Sequence, residues 1–365
     1  MVETSVIVLT WNQKDFTIRC LHHLLDQTYK DYEIILVDNC SEDNTINEVK
    51  KTFGEQIKVI ALKENKGFTG GNNEGVKNSS ATKYIMFLNN DTIVQNNLLE
   101  ETIKSINSSD NIGAVAVPIC NKGKETEFKK SFDDNESLIS NLFAEYIPIT
   151  IDKSIKTNIF DYYPSGCCFL YKKEIFDLPF DEDYFIYSEE IYFSLLLHLK
   201  GYETILCKTS IIQHENSALK KSSKKIDNYF KFLGKKNKLF NQLIFFETKT
   251  LVKLMPLIIF YNIFETIYDF KNIFIRLKAY IYIIFNINKI LEKRKYIKKL
   301  RIINDKELFK QFTYKFVSNI QFQDKILKLI IAILNKFSYF YCKFVNIKTI
   351  ENYKFMLAKH HINYI

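Results

Sequence analysis

Proline and glycine are scarce in this chain of 365 residues, which has 5 Pro and 10 Gly. So few chain breakers exclude a collagenous or linker-rich protein. Hydrophobic residues make up 47% of the chain and charged residues 25%, a balance that excludes a disordered protein and permits a large buried core. The length suits one α/β domain followed by a helical appendage.

Other features are missing as well. The 7 cysteines are scattered, with no CxxC or His/Cys ligand spacing, so we expect no disulfide framework or zinc ribbon, and a reducing compartment. The first residues lack the basic and apolar segments of a signal peptide, so we expect a cytosolic chain that begins with a strand. The longest uncharged apolar run in the C-terminal part, Leu254–Phe264, has 11 residues, short of the roughly 20 that span a bilayer. An interfacial helix is therefore expected rather than a spanning one.

Charge is distributed unevenly along the chain. Residues 241–365 contain 22 Lys and Arg against 8 Asp and Glu, a net of +14, whereas residues 1–240 contain 29 against 34, a net of −5. Aromatic and aliphatic residues alternate with the lysines of the tail. This pattern favours an anionic membrane surface over nucleic acid as the partner of the tail.

The first 120 residues alternate apolar runs of strand length with amphipathic runs of helix length, as in a parallel sheet with crossover helices. Ligands of such sheets bind beyond the carboxyl ends of the strands. The predicted strands there are Ser5–Leu9, Glu33–Val37, Lys58–Ala61, Tyr84–Leu88 and Gly113–Val117, with helices at Phe16–Leu25, Asn44–Lys51, Asn73–Asn78 and Leu98–Ile106. From about residue 216 the pattern changes to lysine-rich helical segments.

Polar residues follow several of these strands. Asp91, after Asn89 and Asn90, is a candidate ligand of Mg²⁺ or Mn²⁺, although Asn-Asp can also simply turn the chain. Asp38 is placed to accept hydrogen bonds from a base or ribose, or else to cap a helix. The three glycines of Asn65–Asn73 indicate a phosphate-binding loop before a helix, but they match neither the Walker pattern nor GxGxxG.

Two later features complete the candidate chemistry. Glu189 and Glu190 begin a helix, where acidic residues are common for dipole reasons but where one could also act as a general base. His214 could complete a metal site with Asp91, or be an ordinary polar residue.

These features occur together and in an order that resembles the family-two glycosyltransferases of the GT-A fold, in particular their rhamnosyltransferase-like members. The resemblance covers roughly residues 3–217, and its most specific block is Asn65–Asn73 with Asn89–Thr92. The other matching stretches are Ser5–Asn12, Leu24–Thr28, Ile35–Asn39, Phe87–Leu88, Ser165–Gly166, Phe180–Phe185, Glu189–Glu190, Lys200–Tyr202 and His214.

The resemblance implies a role for each matched position. One group would bind the nucleotide-sugar donor. Asp91 and His214 would hold a divalent metal, Mg²⁺ or Mn²⁺, on its diphosphate, and Glu190 with Glu189 would deprotonate the acceptor. The donor-binding residues would be Thr10, Asn12, Asp38, Asn39, Lys66, Gly67, Asn72, Asn89 and Asn90.

The chain departs from the family at the catalytic end. Ser188–Tyr192 stands where the family usually has Gly-Glu-Asp-x-Asp, so Glu190 replaces the expected Asp base and Tyr192 replaces a second Asp. The extra methylene of Glu190 bears directly on rate, because a base must lie within hydrogen-bond reach of its proton.

We therefore predict an α/β protein with a GT-A Rossmann-like nucleotide-diphospho-sugar transferase domain at residues 1–240 and a helical, basic-amphipathic, membrane-associating region at 241–365. Its expected function is inverting transfer of a sugar, with rhamnose one option, to a lipid-linked or cell-surface polysaccharide at the inner face of the cell membrane. A catalytically impaired sugar-nucleotide-binding or scaffold protein is one alternative. A nucleic-acid-binding protein that uses Lys293–Lys299 is another alternative. Because the tail pattern favours a membrane surface, we expect no nucleic acid as a partner.

Overall fold

The apolar runs of the N-terminal half form one seven-stranded sheet in a computed structural model of the chain. The structure describes residues 1–120, 136–150, 164–215, 224–318 and 324–352. Its strands are β1 (Val2–Thr10), β2 (Tyr32–Asp38), β3 (Lys58–Ala61), β4 (Ala81–Asn89), β6 (Ile112–Ala116), β10 (Cys168–Lys172) and β11 (Glu203–Leu206). Across the sheet they lie in the order β11-β6-β10-β4-β1-β2-β3.

Two compact units divide the chain. The first comprises residues 1–131, 164–197 and 202–227, and the second comprises 132–163, 198–201 and 228–365. The predicted domains, 1–240 and 241–365, stay a prediction; residue 240 lies within the helix Lys224–Ile244.

Strand register places the polar residues that follow the central strands at one edge. Thr10 pairs with Asp38 across β1 and β2, and Leu9 pairs with Asn89 across β1 and β4. All three strands are parallel, so their carboxyl ends coincide. The predicted gathering of Thr10, Asp38 and Asn89 at this edge is confirmed.

Strand β10 is antiparallel to both of its neighbours, β4 and β6, so the sheet is mixed. The apolar run Ser165–Tyr171 predicts a strand here, but not its direction. Because β10 runs opposite to β4, its first residue, Cys168, lies beside Leu88 near the carboxyl end of β4. Gly166 and Cys167, which precede β10, thus arrive at the edge that carries the polar residues.

Four helices connect the first strands, and the buried core lies between them and the sheet. They are α1 (Lys14–Leu25), α2 (Thr45–Phe53), α3 (Gly67–Lys77) and α4 (Leu98–Ile106). Helix α3 begins six residues before its predicted start at Asn73, because the glycines predicted as a loop are helical. A Cβ on Gly71 would lie 2.4 Å from Leu9 Cδ1, and one on Gly75 would lie 2.4 Å from Ile7 Cγ2. These glycines therefore let α3 pack closely against β1.

A small second sheet brings His214 to the same region. Its order is β5 (Thr92–Val94), β12 (Ile212–His214) and β7 (Ile119–Cys120), with His214 opposite Thr92. Helix α5 (Glu189–Leu199) follows β10 in the chain and has Glu189 and Glu190 in its first turn, as predicted.

The C-terminal part is helical, as predicted. One of its helices, α7 (Thr248–Tyr268), is long and apolar enough, by length and composition, to cross a membrane, although 28% of its most apolar stretch is buried. The expectation of an interfacial helix stays a prediction. The helices of this part are α6 (Lys224–Ile244), α7 (Thr248–Tyr268), α8 (Ile273–Phe285), α9 (Ile287–Leu300), α10 (Asp305–Leu308) and α11 (Lys325–Phe344). The second unit also contains a hairpin from earlier in the chain, formed by β8 (Glu136–Ser140) and β9 (Tyr146–Thr150).

The apolar stripe of α11 is largely exposed. Its apolar stripe, Ile326, Leu329, Ile330, Ile333 and Leu334, suggests packing on the protein or on a partner. In the structure the first four of these side chains are exposed. Among the described residues this part of the stripe is not covered, so packing on the protein or on a partner stays a prediction.

Candidate functional site

Thr10 and Asn90 meet in a buried polar cluster at the end of β1. The Asn90 amide Nδ2 lies 3.1 Å from Thr10 Oγ1 and 2.9 Å from Thr17 Oγ1, and the two hydroxyls are 2.8 Å apart. These bonds fix the loop that carries Asn89, Asn90 and Asp91. The structure thus brings together two predicted residues, Thr10 and Asn90, from the ends of two neighbouring strands.

Asp38 offers a buried carboxylate oxygen toward the same edge. Its side chain is 1% exposed, and Oδ2 accepts a hydrogen bond from the Ser41 amide at 3.1 Å. Its Oδ1 has no hydrogen-bond partner within the described part of the chain. A buried acceptor without a partner is costly, so Asp38 fits the predicted contact with a ribose or base.

Asn12 and Asn39 use their side chains to shape loops. Asn12 Oδ1 accepts hydrogen bonds from the amides of Glu42 and Asp43, at 2.6 and 3.3 Å. Asn39 is buried; its Oδ1 accepts from the Lys66 amide at 2.8 Å, and its Nδ2 donates to the Gly67 carbonyl at 3.0 Å. Direct donor contacts by these two residues stay predictions.

The other residues predicted for the diphosphate lie at the start of α3. Lys66 Nζ forms an ion pair with Glu74 at 3.0 Å, which raises the pKa of Lys66. The buried Asn72 donates from Nδ2 to the Phe68 carbonyl at 2.9 Å, inside its own helix. A phosphate at this helix start would therefore compete with Glu74 for the Lys66 ammonium.

Gly67 lies against the segment that leads to the acidic pair. Its φ is +69°, and a Cβ at this position would lie 2.4 Å from the Phe185 carbonyl oxygen. The Thr69 amide donates to the same carbonyl at 3.2 Å. The start of α3 and the approach to α5 are thus in direct contact, although about 120 residues separate them in the chain.

Asn73 strengthens this contact, and sequence reasoning gave it no role. It is fully buried, and its Nδ2 donates to the Phe180 carbonyl at 2.9 Å and to Glu182 Oε1 at 3.2 Å. The available signal was its place in the Gly-Gly-Asn-Asn run, but its partner lies 107 positions away.

The backbone between Phe185 and α5 is unusual. Phe185, Tyr187 and Ser188 have φ values of 62°, 72° and 63°. Residues with a Cβ seldom adopt such values, and clusters of them occur at functional sites. Ser188 stands where the resembling family has glycine, the residue that adopts positive φ without strain.

Glu189 and Glu190 form a side-chain pair at the start of α5. Burial of the Glu189 carboxyl, and then the nearby Glu190 charge, raise the pKa of Glu189 well above its usual value. Its Oε2 is buried without a hydrogen-bond partner in the described residues. Glu190 is more exposed, so an acceptor hydroxyl would reach it more readily.

Asp91 and His214 are paired as predicted. Asp91 Oδ1 lies 3.0 Å from His214 Nε2, and Asp91 is buried. No cluster of three or more His, Cys, Asp or Glu side chains occurs among the described residues. Two protein ligands still fit Mg²⁺ or Mn²⁺, because these ions commonly take one or two side chains plus substrate phosphates.

Gly166 and Cys167 connect the two halves of the site. The Cys167 carbonyl accepts a hydrogen bond from the Asn89 amide at 2.9 Å. A Cβ on Gly166 would lie 3.7 Å from Glu189 Oε1. The acidic pair and the strand end that leads to Asp91 therefore lie on either side of one dipeptide, which sequence reasoning treated only as a motif match.

The fold is a GT-A Rossmann-like α/β fold with a helical region after it. A solved structure of similar fold is that of GalNAc-T7 with UDP, GalNAc and Mn²⁺, with a TM-score of 0.53 and 14% identity over 68% of this chain and 49% of that one. The sequence model of the family "Glycosyl transferase family 2" matches residues 5–178. Residues 5–178 are thus similar to the members of this family.

Two curated relatives are bacterial. The Bacillus subtilis putative teichuronic acid biosynthesis glycosyltransferase TuaG is 31% identical over 27% of this chain and 40% of its own length. The Staphylococcus aureus poly(ribitol-phosphate) beta-N-acetylglucosaminyltransferase TarP is 31% identical over 44% of this chain and 51% of its own length. The match spans about half, or less, of each relative.

Proposed function

We propose that this protein is an inverting glycosyltransferase that moves a hexose from a nucleotide-sugar donor to a lipid-linked or cell-surface glycan. The observation that supports this most strongly is the gathering at one sheet edge of Asp38, with its free buried oxygen, the Asp91–His214 pair and the Glu189–Glu190 pair. A carboxylate that accepts hydrogen bonds suits the nucleoside, a metal-binding pair suits the diphosphate, and a general base suits the attacking hydroxyl.

The donor would lie along the ends of β1, β2 and β4. Asp38 would accept hydrogen bonds from the nucleoside, with Thr10 and Asn12 beside it, and Lys66, Gly67 and Asn72 would face the diphosphate-sugar. Asp91 and His214 would hold Mg²⁺ or Mn²⁺. When bound, that ion neutralises negative charge on the leaving nucleoside diphosphate.

Glu190 would act as the general base. Its carboxylate takes the proton of the acceptor hydroxyl while the oxygen forms a bond to the anomeric carbon, and the bond from that carbon to the diphosphate breaks on the opposite side. The configuration at the anomeric carbon is therefore inverted. Glu189, which stays protonated when buried, would donate a hydrogen bond that holds the Glu190 carboxylate in place.

The identity of the sugar is a finer proposal. The resemblance in sequence favours a rhamnose donor, whereas the name of TarP states N-acetylglucosamine for that relative. Both belong in any donor panel. The product would be an envelope polysaccharide, made by an enzyme peripheral to the cytoplasmic face of the membrane.

A second candidate, a sugar-nucleotide-binding or scaffold protein without turnover, is favoured by one observation. Tyr192, at the position of the family's second Asp, is buried and its ring lies 5.2 Å from that of Tyr184. This side chain belongs to the core and cannot replace a carboxylate.

A donor panel tests the proposal. Titration calorimetry of nucleotide sugars, with Mn²⁺ and with EDTA, should show metal-dependent binding of one donor and loss of that metal dependence in Asp91→Ala. Release of nucleoside diphosphate from the same donor identifies a transferase. Tight binding without any release, even with membrane extract as acceptor, would favour the scaffold candidate.

A further inference from the structure

Helix α11 has its polar and apolar faces reversed relative to a helix of a water-soluble protein. Its buried face includes Asn335, whose Oδ1 accepts from the Phe316 amide at 2.8 Å, and Ser338, whose Oγ donates to the Tyr314 carbonyl at 2.6 Å. Its exposed residues include large apolar side chains and lysines: Ile326, Leu329, Ile330, Ile333, Phe337, Phe340 and Phe344, with Lys325, Lys328, Lys336 and Lys343. Water would favour the opposite arrangement.

Helix α8 repeats this reversal with a charge inside. Arg276 is 4% exposed and lies 3.2 Å from Glu265 Oε2 and 3.6 Å from Asp269 Oδ2. On the outer face, Phe274 and Phe285 are 82% and 83% exposed. A buried ion pair under an exposed phenylalanine face is costly in water, so this face is built for another medium.

Helix α7 also buries a polar side chain and exposes apolar ones, although its other buried residues are mainly apolar, and it lines an apolar groove. The amide of its buried Asn262 donates to Gln242 Oε1 at 2.9 Å, whereas Ile259, Ile263 and Ile267 are exposed. These isoleucines, with Leu243 and Met255, line an open groove of about 410 Å³ whose surface is almost entirely hydrocarbon.

The three helices are in contact. The rings of Phe260 on α7 and Phe337 on α11 are 5.0 Å apart, and both side chains are exposed. Thr266 on α7 and Tyr280 on α8 form a 2.8 Å hydrogen bond. We call the exposed apolar side chains of α7, α8 and α11, together with the groove, the apolar face.

Charge identifies what covers this face. Residues 241–365 have a net charge of +14. A second copy would bring the same excess of positive charge against it, and like charges oppose such a dimer. An anionic phospholipid surface supplies both hydrocarbon and negative charge, and basic residues beside an apolar face bind it.

We propose that the apolar face docks on anionic phospholipid bilayers and that its groove takes one hydrocarbon chain of a bound lipid. This inference deepens the proposed function and rests on it for the cellular setting. The lipid binding itself can be measured without any sugar donor.

Vesicle co-sedimentation of the full-length protein tests the docking. Binding should be strong to phosphatidylcholine vesicles that contain phosphatidylglycerol, weak to phosphatidylcholine alone, and reduced by salt. The double variant Ile263→Asp/Ile267→Asp should bind at least about tenfold more weakly, because two apolar side chains no longer enter the hydrocarbon. Leu178→Asp, the same kind of change in the first unit, should bind as the unchanged protein does.

Fluorescence quenching tests the groove. In a Trp11→Phe background, a tryptophan at position 263, made by Ile263→Trp, should be quenched by vesicles whose lipids carry bromine on their acyl chains. Quenching at Phe274→Trp but none at Ile263→Trp would overturn the groove assignment.

Two further results would overturn the docking proposal. One is equal binding by Ile263→Asp/Ile267→Asp and the unchanged protein. The other is a dimer, seen by light scattering without vesicles, that dissociates in this variant. Donor binding and circular dichroism of the variant confirm that it is folded. Asp91→Ala should bind vesicles normally, so failure of the proposed activity and failure of this inference are separable.

Discussion

At the scale of single residues, the site departs from its family where the structure is most constrained. Ser188 adopts a positive φ that suits glycine, and Glu189 is a carboxyl buried beside Glu190. Of these two residues only Ser188 departs from the family pattern, because Glu189 matches the Glu of that pattern, and the sequence presents both as matters of side-chain chemistry. Their conformational and titration consequences depend on burial and backbone angles, which the sequence pattern does not contain.

Glu189 should make stability depend on pH. Its pKa is raised in the folded state, so the folded protein binds a proton that the unfolded chain has lost, and stability falls as pH rises above about 4.5 toward the folded pKa. Glu189→Gln should flatten this part of the melting-temperature profile and be the more stable protein at alkaline pH. An identical slope in both proteins would contradict the assignment.

Ser188→Gly should be more stable than Ser188→Ala by about 1 kcal/mol, because a residue with a Cβ is strained at positive φ. Both changes remove the hydroxyl, so the comparison isolates the backbone. Urea denaturation measures the difference, and equal midpoints would show that the segment relaxes at no cost.

At the scale of elements, the central strands were predictable, and the junction between α3 and the approach to α5 was not. Hydrophobic runs specify β1, β2 and β4, and parallel strand ends then specify the ligand edge. The glycines of α3 look like a loop in sequence because their packing role requires knowledge of what faces them. The Gly67–Phe185 contact is invisible for the same reason.

Gly67→Ala should destabilise the protein more than Gly54→Ala. Both residues have positive φ, at +69° and +56°, but a Cβ on Gly54 has no atom within 4 Å, whereas one on Gly67 meets the Phe185 carbonyl. Overpacking should add roughly 1–3 kcal/mol to the backbone cost that positive φ imposes at Gly67. Chemical denaturation gives both values, and equal losses would remove the close contact from the account.

At the scale of the whole molecule, charge and hydropathy predicted a catalytic α/β part and a basic helical part. The reversal of α7, α8 and α11 was not predictable, because an apolar stripe alone does not say which way it faces. The same pattern therefore left packing of the α11 stripe on the protein or on a partner open. Domain limits at residue 240 stay a proposal.

The most direct test of the central claim is the rate of nucleoside diphosphate release from the bound donor, compared between Glu190→Gln and the unchanged protein. Loss of a positioned base should lower the rate by roughly 10²–10⁴-fold while calorimetric donor affinity stays the same. Glu189→Gln, which keeps a hydrogen-bond donor beside Glu190, should retain much more activity. Release by Glu190→Gln at the full rate would contradict the assigned base and, with it, the proposed mechanism.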